Sequence, residues 1–338
     1  TFLVRSGILN SVHTFANDPE RGVFILIFLF FLIFLSLFIF FFFHKGDNKN
    51  VNSFSLFSKE TSILVNNWFM MYFLSVILVG TTYPIFLDVI SSQQISVGPP
   101  FYHKLIIPFL IPFLIAMAVG PKLRWIKSGI EDKKYLITLF LISLIISILI
   151  VINLDVKFLL NTVLITSALY LFFITVRDFF IKKFSSFSQN IAHFGFSLLI
   201  LSILFNNFLT TETIVNLKVG ETHTSEKFKI KFEDVDQLSE KNYKVIIGKF
   251  KVENKKDGRI DILYPELRIY NQPNIVTSEA FIKTNLFLDK FMTMNYVQNK
   301  EHFNIRYQTK PLMIWIWISV IFISLGGLTS LYKKKNES

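Results

Sequence analysis

The 338-residue chain contains no cysteine. This absence excludes disulfide bonds, thiolate-ligated metals and catalysis by a cysteine nucleophile. The sequence has no phosphate-binding glycine loop, so nothing in it indicates ATP. No pair of carboxylates lies within an apolar run, which argues against a proton pump. The sequence also shows no internal repeat of the kind found in transporters that are built from two related halves.

The chain is instead rich in apolar residues and in positive charge. Hydrophobic residues make up 52% of it and the mean hydropathy is +0.49, yet the formal net charge is +11. Because the basic residues flank long apolar runs, we interpret them as contacts to anionic membrane lipid and not to nucleic acid.

Seven runs are apolar and long enough to cross a hydrocarbon core about 30 Å thick, which needs roughly 20 helical residues. The third run is short and contains Pro108 and Pro112, so we expect it to be packed within the bundle or to be re-entrant. Residues 80–84 are expected to break the end of the second run. The predicted spans are 23–43, 67–87, 105–120, 135–152, 158–176, 190–209 and 311–332.

Lysine and arginine are distributed unevenly between the short loops on the two sides of these spans. One side holds 14 of them, in residues 44–66, 121–134, 177–189 and the tail after residue 332. The other side holds 4, in residues 1–22, 88–104 and 153–157. The positive-inside rule therefore predicts an N-terminus outside and a C-terminus inside.

The stretch between the last two predicted spans is polar and would face outward. It contains short runs that alternate between apolar and polar residues, separated by turn sequences at 254–258 and 271–274. The alternating runs are 227–232, 243–252, 259–270 and 304–308.

The fold class predicted from these patterns is a polytopic α-helical membrane protein with about seven spans and a small β-rich extracytoplasmic domain between the last two. Residues 1–22 would form an outward-facing amphipathic segment, and 23–209 a membrane domain of six spans. The β domain would occupy 210–310, and the last span and a cytoplasmic tail 311–338. Residues 91–103 are expected to form a rigid loop that shapes the outer face.

Two histidines are the candidate site residues, and no catalytic residue is assigned. His193 lies near the inner start of the sixth span, where an ionisable side chain is costly and therefore suggests function. A neutral imidazole is a good axial ligand for haem iron, and Gly195 would let a flat macrocycle or another helix approach. The alternative is an interfacial histidine that is hydrogen-bonded to a neighbouring helix.

His13 lies just outside the first span, beside Val12 and Phe15. It is either a ligand or an ordinary exposed histidine, and nearby Arg5 would either pair with an anion such as a propionate or anchor the segment at the interface. The remaining histidines are expected to be ordinary surface residues; they are His44, His103, His223 and His302.

Several sequence blocks, in order along the whole chain, resemble the CcmF/NrfE family of c-type cytochrome biogenesis proteins. The N-terminal blocks are TFLVRSGIL with SVH (1–13), GTTYP (80–84), VGPPFY (97–102), GPKLRW (120–125) and AHFG (192–195). The C-terminal blocks are LYPELRIY (263–270), TSEA (277–280) and KPLMIWIW (310–317).

The resemblance implies the C-terminal part of the haem lyase of cytochrome c maturation system I. That enzyme receives haem from the chaperone CcmE and attaches it through thioether bonds to the CxxCH motif of apocytochrome c, with CcmH and CcmI as partners. His13 falls on one of two outward-facing histidines that hold the substrate haem. His193 falls on one of two membrane histidines that ligate a resident haem b. The expected location is the bacterial inner membrane, or alternatively the mitochondrial inner membrane.

The family's Trp-rich WWD segment, the first outward-facing histidine and the other membrane histidine belong to an N-terminal half that would precede Thr1. We therefore expect this part alone to be inactive, whether it is a truncated reading frame or a natural split subunit. Two other functions remain open from the residues themselves. One is a channel that exports haem or another solute, although few polar residues are present to line a path. The other is a non-catalytic assembly scaffold.

Overall fold

The computed structural model contains two compact units, Thr1–Ile145 and Ile146–Ser338, each of which is described by itself. Most of the chain is described, and the statements below concern that part. The described residues are 18–43, 54–91, 95, 97–127, 129–130, 133–154, 157–181, 186–271, 275–296 and 302–336.

Seven helices in the described ranges are long and apolar enough to cross a membrane, which confirms the predicted number of spans. Their surfaces carry many exposed Phe, Leu and Ile side chains, as expected of helices whose solvent is lipid. The helices are α1 (Pro19–Phe43), α2 (Lys59–Ser91), α3 (Pro99–Val119), α4 (Lys133–Leu154), α5 (Phe158–Ile181), α6 (Phe187–Leu209) and α7 (Met313–Asn336).

Two predicted interruptions of the helices were wrong. Helix α2 continues through residues 80–84, with Pro84 inside it. Helix α3 is neither short nor re-entrant, because it runs without a break past Pro108 and Pro112. Proline lacks a backbone donor but fixes φ near the helical value, so a helix that is supported by its neighbours can retain it.

The ends of the helices also differ from the prediction. Helix α3 begins at Pro99, so the second part of the predicted loop 91–103 is helical. A proline in the first turn costs no hydrogen bond, since the first amides of a helix have no partner within it. Helix α1 begins at Pro19, so residues 19–22 belong to that helix and not to a separate segment.

In the first unit, α2 and α3 pack through aromatic rings. The ring of Tyr72 lies 4.1 Å from that of Phe109, and its hydroxyl donates to the Leu105 carbonyl at 3.0 Å, in the turn before Pro108. Gly80 leaves room for the Tyr102 ring, because a Cβ there would lie within 2.9 Å of it. These contacts explain how an aromatic-rich pair of helices remains close across a proline-containing segment.

The second unit contains a β domain between α6 and α7, as predicted. Its strands form two antiparallel sheets, with the orders β1-β10-β9-β8 and β2-β3-β4-β6-β7, and β5 also pairs with β4. The strands are β1 (Thr211–Leu217), β2 (Thr222–Thr224), β3 (Phe228–Ser239), β4 (Tyr243–Asn254), β5 (Ile260–Leu263), β6 (Glu266–Tyr270), β7 (Ile275–Glu279), β8 (Phe281–Lys283), β9 (Leu288–Tyr296) and β10 (Phe303–Pro311).

The two sheets enclose the main hydrophobic core of the described residues. Phe232 stacks on Phe250 with ring centroids 4.2 Å apart. Met292 and Met294 of β9 and Ile305 of β10 are fully buried against them. A domain of roughly 100 residues can sustain such a core without disulfides.

The β domain is joined to the membrane helices by two neighbouring chain crossings. Asn206 of α6 donates through Nδ2 to the Pro311 carbonyl at 2.6 Å. The Thr211 and Thr309 hydroxyls, one on each connection, are 2.6 Å apart. Leu312 has a φ of 58°, which turns the chain directly from β10 into α7. The membrane-proximal end of the domain is therefore fixed to both α6 and α7.

Candidate functional site

His193 is half-buried on α6, close to the end of that helix that is remote from the β domain. The helix begins at Phe187 and is capped by Ser186, whose hydroxyl accepts from the Gln189 amide at 3.2 Å. The distance from His193 to Leu209, where the helix meets the β domain, is about 24 Å at 1.5 Å per residue. A haem bound to His193 would therefore lie toward the opposite membrane surface.

Gly195 serves the packing of two helices, which was one of the two roles open from the sequence. A Cβ at Gly195 would lie 2.9 Å from the Ser319 carbonyl oxygen and from the Ile323 amide nitrogen of α7. A Cβ at Gly326 of α7 would lie 2.7 Å from the Ala192 amide nitrogen. The two backbones approach as closely as small residues permit in membrane helix pairs.

Phe194 packs against aromatic rings of both α5 and α7. Its ring centroid lies 5.5 Å from Phe172, 5.7 Å from Phe179 and 5.5 Å from Phe322. Helical spacing places His193 about 100° around α6 from Ala192, which faces α7, and about 100° from Phe194, which also contacts α5.

The residues at this position fit one axial site of a haem. His193 offers an imidazole, half-buried on an apolar helix, and a neutral imidazole is a common axial ligand of haem iron. The described residues contain no group of three or more His, Cys, Asp or Glu that could hold a bare metal ion. The other predicted ligand, His13, and the nearby Arg5 lie outside the described residues.

The other described histidines belong to other elements of the fold. His103 is exposed on the second turn of α3, and His223 is half-buried on β2. His302 departs from the predicted surface role, because its Nδ1 is buried and has no hydrogen-bond partner among the described residues. His44 lies outside the described residues.

The β domain holds a buried ion cluster that the sequence analysis did not identify. The Asp261 carboxylate accepts from Lys283 Nζ at 2.6 Å and from Lys290 Nζ, and the side chains of Asp261 and Lys290 are only 12% and 11% exposed. Burial opposes ionisation of Asp261, but the hydrogen bonds and charges of both lysines outweigh it and hold its pKa below the usual value. The three residues come from β5, β8 and β9, so no local sequence signal joins them.

Replacing Asp261 with asparagine is expected to destabilise the β domain by about 2 kcal/mol, because Lys290 would remain buried without its counter-charge. A lowered pKa means that the carboxylate stabilises the fold above its unfolded pKa and that this contribution is lost as the pH falls through the folded value. The difference in the free energy of unfolding between wild type and Asp261→Asn should therefore be largest at pH 7 and decrease at acidic pH. Thermal unfolding of the detergent-solubilised chain at several pH values measures it.

The matched control is Glu233→Gln. Glu233 pairs with Lys249 at 3.6 Å in a more exposed position, where such pairs contribute about 0.5 kcal/mol or less. Equal losses in the two variants, or a loss in Asp261→Asn that does not depend on pH, would contradict the role of the buried cluster.

Comparison with known families matches one part of the chain directly. Residues 208–311, which contain all ten strands, match the family described as the CcmF C-terminal beta-sandwich.

Curated relatives match nearly the whole chain. The cytochrome c-type biogenesis protein CcmF of Pseudomonas fluorescens is 31% identical, over 97% of this chain and 51% of the relative. CcmF of Escherichia coli strain K12 is 30% identical, over 98% and 52%. The protein NrfE of Haemophilus influenzae is 27% identical, over 100% and 54%. The chain thus spans about half the length of these relatives.

A solved structure with the name Cytochrome c Heme Lyase CcmF has the same fold. It superposes with a TM-score of 0.63 at 21% sequence identity, and the match covers 81% of this chain and 46% of that one.

Proposed function

Because the chain belongs to the CcmF/NrfE family and corresponds to the C-terminal half of its members, we propose that it is the C-terminal part of a cytochrome c haem lyase. The substrate would be haem delivered by the chaperone CcmE, and the acceptor would be the CxxCH motif of apocytochrome c. The collinear match along the chain, from the first membrane helix through the β domain to the last, carries this proposal.

The reaction adds the two thiols of the apocytochrome across the two vinyl groups of haem, so that each vinyl gains one C–S and one C–H bond. The absence of cysteine in this chain agrees with that chemistry, because both thiols come from the acceptor. The lyase would then act mainly by positioning the haem edge against the peptide.

The two candidate histidines have separate roles in this proposal. His13 would hold the iron of the substrate haem until the histidine of the CxxCH motif replaces it. His193 would hold a resident haem b, and the chemistry that this group would supply is electron transfer to the iron of the substrate haem. The second ligand of each haem and the WWD segment would come from the N-terminal half of the protein, so this part alone would be inactive.

The proposed setting is the bacterial inner membrane, or alternatively the mitochondrial inner membrane, with the basic loops inside and the β domain outside. The β domain is fixed to α6 and α7 by the Asn206–Pro311 and Thr211–Thr309 contacts. It would therefore present a rigid surface to CcmH, CcmI or the apocytochrome, on the side where haem attachment occurs.

Replacing His13 with alanine is expected to lower the yield of holocytochrome c by about tenfold or more, because the substrate haem loses an axial ligand. The variant would be tested within the complete lyase, in cells that lack another copy, by staining covalently bound haem in separated proteins. The amount of membrane-inserted lyase should not change.

His223→Ala is the matched control, since it makes the same substitution at a histidine of β2 that has no part in the proposed haem ligation. Normal holocytochrome c in the His13 variant would remove that residue from the mechanism. An equal loss in both variants would indicate a general dependence on histidine and not a ligand at position 13.

A further inference from the structure

A cleft of about 480 Å³ lies where the β domain meets the C-terminal end of α6. Leu209, the last residue of α6, lines it together with Thr211 at the start of β1, so the cleft lies at the level of the membrane surface. Its apolar wall consists of Phe228, Val252, Leu288 and Tyr307, and its polar wall of Glu226, Lys227, Asn254, Lys255, Lys256, Lys290 and Thr309.

The charges in this cleft favour an anion. Lys290 is already paired with Asp261, a carboxylate that it shares with Lys283. Lys227, Lys255 and Lys256 are exposed and form no ion pair with other described residues, and only Glu226 opposes them on the cleft wall. Three exposed ammonium groups and one carboxylate therefore line the cleft beside its apolar wall, which leaves an excess of positive charge.

The loops that carry these lysines are held in place before any ligand binds. The Lys255 amide donates to the Lys227 carbonyl at 3.0 Å, which ties the turn after β4 to the turn before β3. The side-chain oxygen of Asn254 accepts from the Lys256 amide at 2.9 Å, and the backbone carbonyl of Asn254 accepts from the Gly258 amide at 2.9 Å. Such preorganisation lowers the entropic cost of binding.

A second, apolar groove of about 320 Å³ shares one lining residue with this cleft. Leu209 lines both of them. The groove runs between the second half of α4 and the end of α6, and its lining is almost wholly apolar. Its other residues are Ile146, Leu149, Ile150, Asn153, Leu154 and Phe205. A cationic cleft and a lipid-facing groove thus meet at one residue.

We propose that the cleft and the groove together bind one anionic phospholipid. The phosphate would contact Lys227, Lys255 and Lys256, and an acyl chain would lie along Leu149, Ile150 and Phe205. A lipid can bind to both surfaces at once. The lysines attract its anionic head group, and the apolar groove accommodates its acyl chain. The bound lipid would fix the height of the β domain above the membrane on that side.

The test measures lipid bound to the detergent-solubilised complete lyase by native mass spectrometry, with phosphatidylglycerol and phosphatidylcholine added separately. The wild type should retain phosphatidylglycerol in preference to phosphatidylcholine. In the triple variant Lys227→Gln, Lys255→Gln, Lys256→Gln, the affinity for phosphatidylglycerol should fall by about tenfold or more.

The matched control is Lys231→Gln, Lys241→Gln, Lys244→Gln, which removes the same charge from exposed positions of the β domain outside the cleft. It should bind phosphatidylglycerol like the wild type. Equal affinity in the two triple variants, or equal retention of the two lipids by the wild type, would overturn the proposal.

Two head-group probes without acyl chains separate a lipid site from a simple phosphate site. Glycerol 3-phosphate and inorganic phosphate should displace phosphatidylglycerol only at concentrations far above that of the lipid, since they cannot occupy the groove. Displacement at comparable concentrations would show that the cleft binds phosphate alone and would overturn the assignment of a lipid. Neither outcome depends on haem attachment, so the proposed function is tested separately.

Discussion

Replacing Gly326 with leucine is expected to force α6 and α7 apart and to prevent the second unit from folding in the membrane. A Cβ at this position would lie 2.7 to 2.9 Å from Ala192 atoms, including its backbone nitrogen, which cannot rotate away. Insertion of a side chain into a packed contact costs about 1–3 kcal/mol even where neighbours can move, so we expect at least the upper value here. The yield of monodisperse protein after detergent extraction and its thermal unfolding midpoint are the measurements.

The adjacent glycine provides a matched control. A Cβ at Gly327 would meet no atom within 4 Å, so Gly327→Leu adds the same side chain to the same helix without a clash. Gly195→Leu, on the opposite side of the contact, should reproduce the Gly326 defect, because its Cβ would lie 2.9 Å from the α7 backbone. Normal yield and stability of the Gly326 variant would mean that the two helices do not pack this closely in the membrane.

The seven membrane helices were predictable because hydropathy over roughly 20 residues is a strong signal. What the sequence could not settle was the effect of proline. Pro84, Pro108 and Pro112 all lie inside continuous helices, whereas the sequence predicted a break at residues 80–84 and, for the third run, either packing within the bundle or a re-entrant segment. In a lone helix proline costs about 3 kcal/mol, but contacts such as that of Tyr72 with the Leu105 carbonyl come from a different helix and are invisible to local patterns.

In the β domain, strands with regular alternation were predicted and the others were missed. The run 227–232 falls on β3, and the run 243–252 falls on β4. Strand β9 was missed although it is central to its sheet, because its buried face carries Lys290, Met292 and Met294. A buried lysine that is neutralised by a distant aspartate breaks the apolar alternation on which the prediction relies.

The candidate site was predictable only where a residue stands out in its local sequence. An imidazole in an apolar helix is unusual, so His193 was selected. Close approach of another helix was one of the two roles expected for Gly195. The ion cluster around Asp261 was not foreseen, because its partners lie more than 20 residues away along the chain. The basic cleft had one visible signal, the adjacent Lys255 and Lys256, but its apolar wall and the groove beyond it depend on tertiary structure.

Replacing His193 with alanine is expected to remove the b-type absorption spectrum of the purified complete lyase, with haem content reduced by about tenfold or more. The loss should be specific to the ligand, since the close packing of α6 against α5 and α7 by Ala192, Phe194 and Gly195 is unchanged in the variant. Yield and thermal unfolding should therefore stay close to those of the wild type, unlike those of the Gly326 variant.

Two comparisons make the His193 result decisive. His103→Ala makes the same substitution at an exposed position of another membrane helix and should leave the spectrum unchanged. Added imidazole should restore a six-coordinate spectrum in His193→Ala, because a small ligand can occupy the space that the side chain left. Unchanged haem content in the variant would leave His193 as an interfacial residue that is hydrogen-bonded to its neighbours. A wild-type complex without haem would instead favour the scaffold function, because the β domain and the membrane helices would then act only by holding other proteins together.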